Sequence, residues 1–446
     1  MNEKSKEKSY VSAEPAVKEK PVDQDYPLTH VPTSARRSFF SIAAVLLGIT
    51  FFSPTMNVGA QIAAAFSFSD LLWIMLAGNL VLGIYVAINC AIGAQTGLTS
   101  AMLSRYTLGI AGSKWASLLL GGTQIGWYAY VSAYMGQMYA VAFNLPNAHL
   151  WFTLFWAVVF GITALWGYRA IEKVAFLAVP ALLLLVIFIP IVAANAAGGL
   201  NALFSVMPTA EMSVATAITA IVGTFASMGT QACNWSRFSP SVKLGFWAGF
   251  IAFMIGNTIM LFAGIVGGLA YNQSDFVVIM MGMGTMVSIF GIIILTLNIW
   301  TTAHAGAYAW GVAGAEMFNK PNKTPFLIGG LVISIILALT GFYAHLINFL
   351  VFLGIFIPPL GGAMLGDYLF TYKRKMPRVE YITFKAFRIG PVLAYVAGVI
   401  VSYISDRMGF GVPPLFGIVI SMLCVPLFSL VFKNDRHEVA ADAEYV

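Results

Sequence analysis

One amide and one indole side chain lie close together in an otherwise apolar stretch of the chain. Gln124 and Trp127 are three residues apart, so they share one face of a helix. An amide both donates and accepts hydrogen bonds, which suits the edge of a heterocycle that does both. The indole adds a surface for aromatic contact. The pair predicts a site for a flat ring, with an interhelical hydrogen bond from Gln124 as the alternative.

A second group of polar side chains follows in the other half of the chain. Asn298, Thr301 and Thr302 occupy positions i, i+3 and i+4 and therefore share a helix face. Together with free backbone carbonyls, such oxygens suit a small cation such as Na⁺. The alternative is that the threonine hydroxyls bond back to carbonyls of their own helix. His304 is either a packing residue or, if it titrates near neutral pH, a site of proton coupling.

Two apolar segments contain residues that break a continuous helix. Residues 46–59 begin as a helix, but Pro54 lacks a backbone N–H and its ring clashes with the preceding turn. Residues 223–230 place glycine, threonine and serine in the middle of another apolar segment. Irregular backbone at membrane depth persists where it lines a cavity or is buried in protein. We predict two broken helices around a site, with Phe52 and Phe225 as further rings; close helix packing is the alternative.

The composition indicates a polytopic membrane protein. Hydrophobic residues make up 59% of the 446 residues and charged residues 9%, against about 25% charged residues in soluble domains. About twelve apolar segments are long enough to cross a bilayer. They lie at 39–66, 71–94, 116–142, 151–167, 174–194, 213–232, 244–268, 284–316, 326–343, 346–371, 391–406 and 413–432. We predict an all-α transporter domain at 39–432, a disordered cytoplasmic tail at 1–38 and a cytoplasmic tail at 433–446.

The positions of the basic residues test this span count. With the N-terminus inside, every Lys and Arg except Arg407 falls on the cytoplasmic side. We therefore predict a multi-pass protein of the plasma (inner) membrane with both termini cytoplasmic. The net charge of +6 is explained by topology and does not indicate nucleic-acid binding.

The spacing of the two breaks predicts the architecture. They fall in spans 1 and 6, five spans apart, so the two broken segments cross the membrane in opposite directions. This pattern is typical of an inverted repeat, here spans 1–5 and 6–10 followed by two extra helices. Spans 5 and 10 both carry interior prolines, at Pro180 and Pro190 and at Pro358 and Pro359.

The residue types around the breaks exclude several function classes. The middles of spans 1, 3 and 6 hold no Asp, Glu, Lys or Arg, which favours a neutral substrate. Paired intramembrane carboxylates and metal-ligand clusters are absent from the sequence pattern, and the three cysteines have no ligand-type spacing. We predict that the protein is not an enzyme, that it needs no cofactor beyond a transported or coupled ion, and that it functions as a monomer.

The chain resembles the nucleobase:cation symporter family, and within it the bacterial cytosine permeases. The strings that carry the resemblance lie at residues 31–36, 47–53, 78–85, 93–99, 118–127, 298–302 and 358–369. The resemblance implies a LeuT-type fold and uptake of a nucleobase-like ring coupled to a cation. It places the ring against Gln124, Trp127, Phe225 and Ser227, with backbone near Phe52. It places Na⁺ among the carbonyls of Gly48 and Phe51 and the side chains of Asn298, Thr301 and Thr302.

One departure from the cytosine permeases widens the choice of substrate. Where they continue with Asn-Asp-Asn, this chain has Ala303, His304 and Ala305. We expect a Na⁺ symporter that imports cytosine, a purine or a related neutral ring by alternating access. The alternative is a proton-coupled permease for hydantoin, allantoin, uracil or a vitamin-precursor ring that uses His304.

Overall fold

A computed structural model describes residues 26–165, 180, 183–184, 186–433 and 435–446. This part of the chain is built almost entirely of helices. In chain order they are α1 Phe39–Thr50, α2 Ser53–Ala63, α3 Phe68–Thr96, α4 Ser100–Ala142, α5 His149–Ala164, α6 Val186–Ala196, α7 Leu200–Leu203, α8 Val214–Gly223, α9 Ala226–Thr230, α10 Cys233–Ser236, α11 Val242–Ile251, α12 Asn257–Tyr271, α13 Phe276–Gly282, α14 Thr285–Met317, α15 Thr324–Leu339, α16 Leu346–Gly366, α17 Ile389–Arg407 and α18 Pro413–Val431.

These helices account for the twelve predicted spans. Among the described residues, seven helical segments are long and apolar enough to cross a membrane, and the bent pair α1–α2 is an eighth. The other spans correspond to α4, α6, the interrupted segment α8–α10 and α15. Most of the first half of predicted span 5, together with Arg169, Lys173 and the lysines of the N-terminal tail, lies outside the described residues. The polytopic all-α architecture is confirmed.

The break in the first span lies just before its proline. Helix α1 ends at Thr50, α2 begins at Ser53, and the two axes are bent by 45°. Phe51 and Phe52 between them have non-helical backbone angles. Pro54 therefore stands in the first turn of α2, where its missing N–H removes no helix hydrogen bond.

The sixth span is interrupted in the same way. Helix α8 ends at Gly223, and α9 begins at Ala226 after the non-helical residue Phe225. A Cβ on Gly223 would lie 2.4 Å from the carbonyl oxygen of Leu350 in α16. Glycine at the end of α8 therefore permits a close approach of α16 to the break.

Helices α4 and α14 pack along each other and carry the polar groups found in the sequence. Helix α4 begins at Ser100, turns sharply at Gly109, whose φ is +83°, and then contains the whole of predicted span 3 at 116–142. The polar first part of α4 is stabilised by the buried carboxylate of Glu316 in α14. That carboxylate accepts hydrogen bonds from Arg105 Nε at 3.0 Å and from Ser117 Oγ at 2.5 Å.

The described residues of both tails pack on one face of the helical domain. Val31 in the N-terminal segment donates its N–H to the carbonyl of Gly97, at 3.0 Å. Near the C-terminus, the strand β2 (Glu438–Val439) pairs antiparallel with β1 (Ile382–Thr383), which precedes α17. The described parts of the two predicted tails are thus held against the loops of this face.

Candidate substrate and cation site

Three aromatic rings meet where the two breaks face α4. Phe52 from the first break contacts Trp127 with ring centroids 5.3 Å apart, and it contacts Phe225 from the second break at 5.8 Å. Both contacts are edge-to-face, an arrangement that aromatic pairs prefer. Phe52 therefore contacts both of the rings that the sequence analysis placed around the substrate.

A small cavity lies among these rings. Its volume is about 20 Å³, which is room for about one water molecule. Its wall on α14 is formed by Thr302, Ala303 and Gly306. No Asp, Glu, Lys, Arg or His is among the described residues that line it. The site is closed in this structure, and the rings must move apart to admit a larger ligand.

Gln124 lines the cavity, and Ser227, which is not among the described lining residues, holds Gln124 from behind. Gln124 Nε2 donates to Ser227 Oγ at 2.8 Å, and both residues are fully buried. Within the described part of the chain, Gln124 Oε1 has no hydrogen-bond partner. It lies 3.4 Å from the position that a Cβ on Gly306 would take. Gln124 therefore keeps a free acceptor beside the wall formed by α14.

Two polar residues that the sequence analysis missed support Ser227. The hydroxyl of Thr123 lies 2.5 Å from Ser227 Oγ, and Gln231 Nε2 donates to the same oxygen at 3.2 Å. The sequence carried a signal for Gln231, because it follows Ser227 by four residues and thus shares its helix face. Thr123 had only its position next to Gln124 to indicate a role.

The two predicted threonines of the cation site face the end of α1. Thr301 Oγ1 lies 2.7 Å from the carbonyl oxygens of both Gly48 and Asn298. Thr302 Oγ1 lies 3.3 Å from the carbonyl of Ile49. A hydroxyl has one proton, so Thr301 can satisfy only one of its two carbonyls at a time. We name this group of uncharged oxygens the oxygen cage; its members are the carbonyls of Gly48, Ile49 and Asn298 and the hydroxyls of Thr301 and Thr302. The cage has more acceptors than the two hydroxyl protons can satisfy.

The side chain of Asn298, which is predicted as a cation ligand, contacts the start of α2 in this structure. Its side-chain Oδ1 accepts the backbone N–H of Ser53 at 2.8 Å and so caps the start of α2. Its backbone carbonyl, not its side chain, belongs to the oxygen cage. Phe51 lies at the end of α1, where helix carbonyls lack intrahelical partners.

His304 lies on the side of α14 that faces α5. Its Nε2 accepts the indole N–H of Trp300 at 2.9 Å and also contacts the hydroxyl of Thr163. His304 is not among the described residues that line the ring cavity. Its Nδ1 has no hydrogen-bond partner among the residues that the structure describes.

Comparison with known proteins assigns the chain to a family. Residues 30–425 match the family described as permease for cytosine/purines, uracil, thiamine and allantoin. The chain belongs to this family. Cytosine permeases from Escherichia coli strain K12 and from Escherichia coli O157:H7 are each 34% identical to this permease over 379 residues, which is 82% of this chain and 88% of theirs.

Solved structures show the same fold at lower identity. The permease is similar to Mhp1, a nucleobase-cation-symport-1 family transporter, in a closed conformation with bromovinylhydantoin bound. The TM-score is 0.79 at 17% identity, over 92% of this chain and 96% of that one. A Na⁺-coupled sialic acid symporter has a TM-score of 0.63 at 13% identity, over 96% and 94% of the two chains. The predicted LeuT-type fold is confirmed.

The family and the fold establish the general activity. This permease is a multi-pass membrane protein and a secondary transporter for a small molecule, not an enzyme.

Proposed function

We propose that the protein couples the import of a neutral nucleobase-like ring to the entry of Na⁺. The observation that carries the proposal is the free Gln124 Oε1 acceptor in an uncharged cavity walled by Phe52, Trp127 and Phe225. Aromatic walls bind a flat ring on its faces and edges. A buried acceptor without a partner favours a ligand that supplies an N–H donor.

The start of α2 supports a neutral substrate over an anion. Free N–H groups at a helix N-terminus are a ready site for carboxylates and phosphates. Here the N–H of Ser53 is occupied by Asn298, and Pro54 has no N–H to offer. The anion-binding capacity of this helix end is thus used up by the protein itself.

Thr302 supplies a physical link between ring and cation. It lines the ring cavity, and its hydroxyl also faces the Ile49 carbonyl in the oxygen cage. Phe52, whose ring must move for the substrate, follows directly on Phe51 at the end of α1. An ion that fixes the end of α1 against α14 therefore favours one position of the Phe52 ring. Linkage requires that each ligand then strengthens binding of the other.

The structure is closed on the face where the described residues of both tails pack. The buried guanidinium of Arg237, just after α10, donates to the hydroxyl of Tyr308 in α14 at 2.8 Å and to the carbonyl of Tyr26 at 2.6 Å. On the opposite face a polar cavity of about 280 Å³ lies beside Asn57 and Tyr130. With both termini on the cytoplasmic side, this cavity lies on the outer face, and we name it the extracellular vestibule; the ring cavity itself is closed.

Uptake by the full-length protein in proteoliposomes tests the proposal. Radiolabelled cytosine, uracil, adenine, hydantoin and allantoin are compared under an inward Na⁺ gradient, an inward K⁺ gradient and a pH gradient. We expect one of the neutral rings to accumulate only with Na⁺. Uptake of that ring at equal rates without any gradient would remove cation coupling, and failure of all five rings to accumulate under every gradient would remove the neutral-ring assignment.

A substitution at His304 separates Na⁺ coupling from the proton-coupled alternative. We expect His304→Gln to keep Na⁺-driven uptake within about threefold of the wild-type rate. The reason is that the imidazole of His304 touches neither the ring cavity nor the oxygen cage. In the variant, the glutamine side-chain oxygen can replace Nε2 as the acceptor for the indole N–H of Trp300. His149→Gln, at a partly exposed histidine, is the matched control. Wild-type uptake that follows a pH gradient without Na⁺ and disappears in His304→Gln would establish the alternative.

A further inference from the structure

A single carboxylate faces the vestibule. Asp275 is the only acidic residue among the described residues that line this cavity. Its Oδ1 accepts the N–H of Val277 at 2.9 Å and caps α13, while its Oδ2 has a long contact of 3.4 Å with the hydroxyl of Tyr343. One oxygen of Asp275 is therefore only weakly engaged and faces the vestibule.

Tyrosine rings continue from the wall of the vestibule into the protein. The ring of Tyr130 stacks on that of Tyr343 with centroids 5.2 Å apart. The ring of Tyr134, one turn further along α4, lies 6.2 Å from the same ring. Tyr134 is fully buried and close enough to Asp275 for electrostatic interaction. The phenol oxygens thus extend the polar surface from Asp275 into the protein.

Unpaired polar atoms continue this line inward. The hydroxyl of Tyr134 faces the side chain of Ser53. Apart from each other, these two fully buried hydroxyls have no hydrogen-bond partner among the described residues. At most one proton is shared between them, so oxygen lone pairs stay free for a cation or a water molecule.

Ser53 is hydrogen-bonded to Asn298, a residue whose carbonyl belongs to the oxygen cage. Its N–H is held by Asn298 Oδ1, and Asn298 Nδ2 is again without a partner in the described part of the chain. The carbonyl of Asn298 then belongs to the cage through Thr301. Because Asn298 precedes Thr301 by about one turn of α14, the groups are ordered from the vestibule towards the cage.

We propose that Asp275, Tyr343 and Tyr134 form an outer cation site, from which the coupling Na⁺ passes Ser53 and Asn298 to the oxygen cage. The inference rests on the proposed Na⁺ coupling. None of these five residues lines the ring cavity. The cation therefore has a path of its own, and a substrate held among Phe52, Trp127 and Phe225 does not block it.

The charge of Asp275 gives the path a measurable property. A carboxylate in a narrow cleft raises the local concentration of cations and the rate at which they associate. It lies outside the oxygen cage, so it does not contribute a ligand to the final site. Removing it should slow the arrival and departure of Na⁺ alike and leave the affinity of the cage nearly unchanged.

Binding of radioactive sodium to the purified full-length protein tests the path. In Asp275→Asn we expect the association rate constant for sodium to fall about tenfold, with an equilibrium dissociation constant within about twofold of wild type. Asparagine keeps the cap on α13. Tyr134→Phe removes only a hydroxyl and is expected to slow association without loss of thermal stability. Asp70→Asn, an exposed aspartate beside Ser67 on the same membrane face, is the matched control.

The outcomes separate the path from the proposed coupling. Wild-type association rates in both Asp275→Asn and Tyr134→Phe would overturn the path and leave Na⁺ coupling intact. A large loss of equilibrium affinity in Asp275→Asn, with unchanged association, would make Asp275 a ligand of the final site and would also overturn the path. Wild-type protein that binds no sodium would overturn both proposals.

Discussion

Gln124→Met is expected to weaken binding of the transported ring by up to about 100-fold, because it leaves a buried donor of the ligand unpaired. Methionine has nearly the same length and fills the same space, so the rings of Phe52 and Trp127 keep their support. The substitution removes the free Oε1 acceptor of the cavity, and it also removes the donor to Ser227. An unpaired buried donor costs about 1–3 kcal/mol.

The measurement is the equilibrium affinity for the ring that the uptake panel identifies, at saturating Na⁺. Thermal stability of the variant without ligand shows whether the fold is intact. Gln273→Met, at an exposed glutamine between α12 and α13, is the matched control. Unchanged affinity in a stable Gln124→Met protein would remove Gln124 from the site. The hydrogen bonds to the edge of the ring would then have to come from Thr302 or another lining residue.

The breaks and the two polar faces were predictable because each depends on neighbouring residues. Pro54 and the glycines of residues 223–230 conflict with a continuous helix whatever surrounds them. Gln124 and Trp127 share a face for the same local reason, since helix geometry alone sets their spacing. The structure brings these groups together, and their roles in binding stay predictions.

Features that depend on distant contacts were not predictable. The polar start of α4 is helical and largely buried because Arg105 meets Glu316, which is 211 residues away. From the sequence, the charged residues in this stretch assign it to a loop between two spans. A charged group is buried only with a partner, and the local sequence does not show that partner. The same limit applies to Asn298, whose side chain is recruited by Ser53 from 245 residues away.

The position of the Phe52 ring was a third feature beyond the sequence. Spacing indicates which rings are near the breaks, but the distances show that Phe52 touches both Trp127 and Phe225 and leaves a cavity of about 20 Å³. The closed cavity means that ring binding includes the work of moving Phe52. Cation binding at the end of α1 can assist that movement, which is why the cage and the cavity should be tested together.

Thr301→Val is expected to weaken sodium binding by about 100-fold, because charge-assisted contacts to oxygen contribute roughly 1.5–3 kcal/mol each. Valine keeps the branched shape and replaces only the hydroxyl. In the structure that hydroxyl lies 2.7 Å from the carbonyls of Gly48 and Asn298. No carboxylate is among the oxygens of the cage, so the loss of one uncharged ligand cannot be compensated by a neighbouring charge.

The variant also tests the coupling through reciprocity. If the cation and the ring favour the same arrangement, loss of the cation must return the affinity for the ring to its sodium-free value, and no further. Affinity for the ring is therefore measured with Na⁺ and with K⁺ in wild type, Thr301→Val and Thr301→Ser. Serine returns the hydroxyl and should restore the sodium effect. A valine variant that binds sodium as the wild type does would remove Thr301 from the cage, and one that loses sodium but still shows the sodium effect on the ring would place the coupling ion elsewhere.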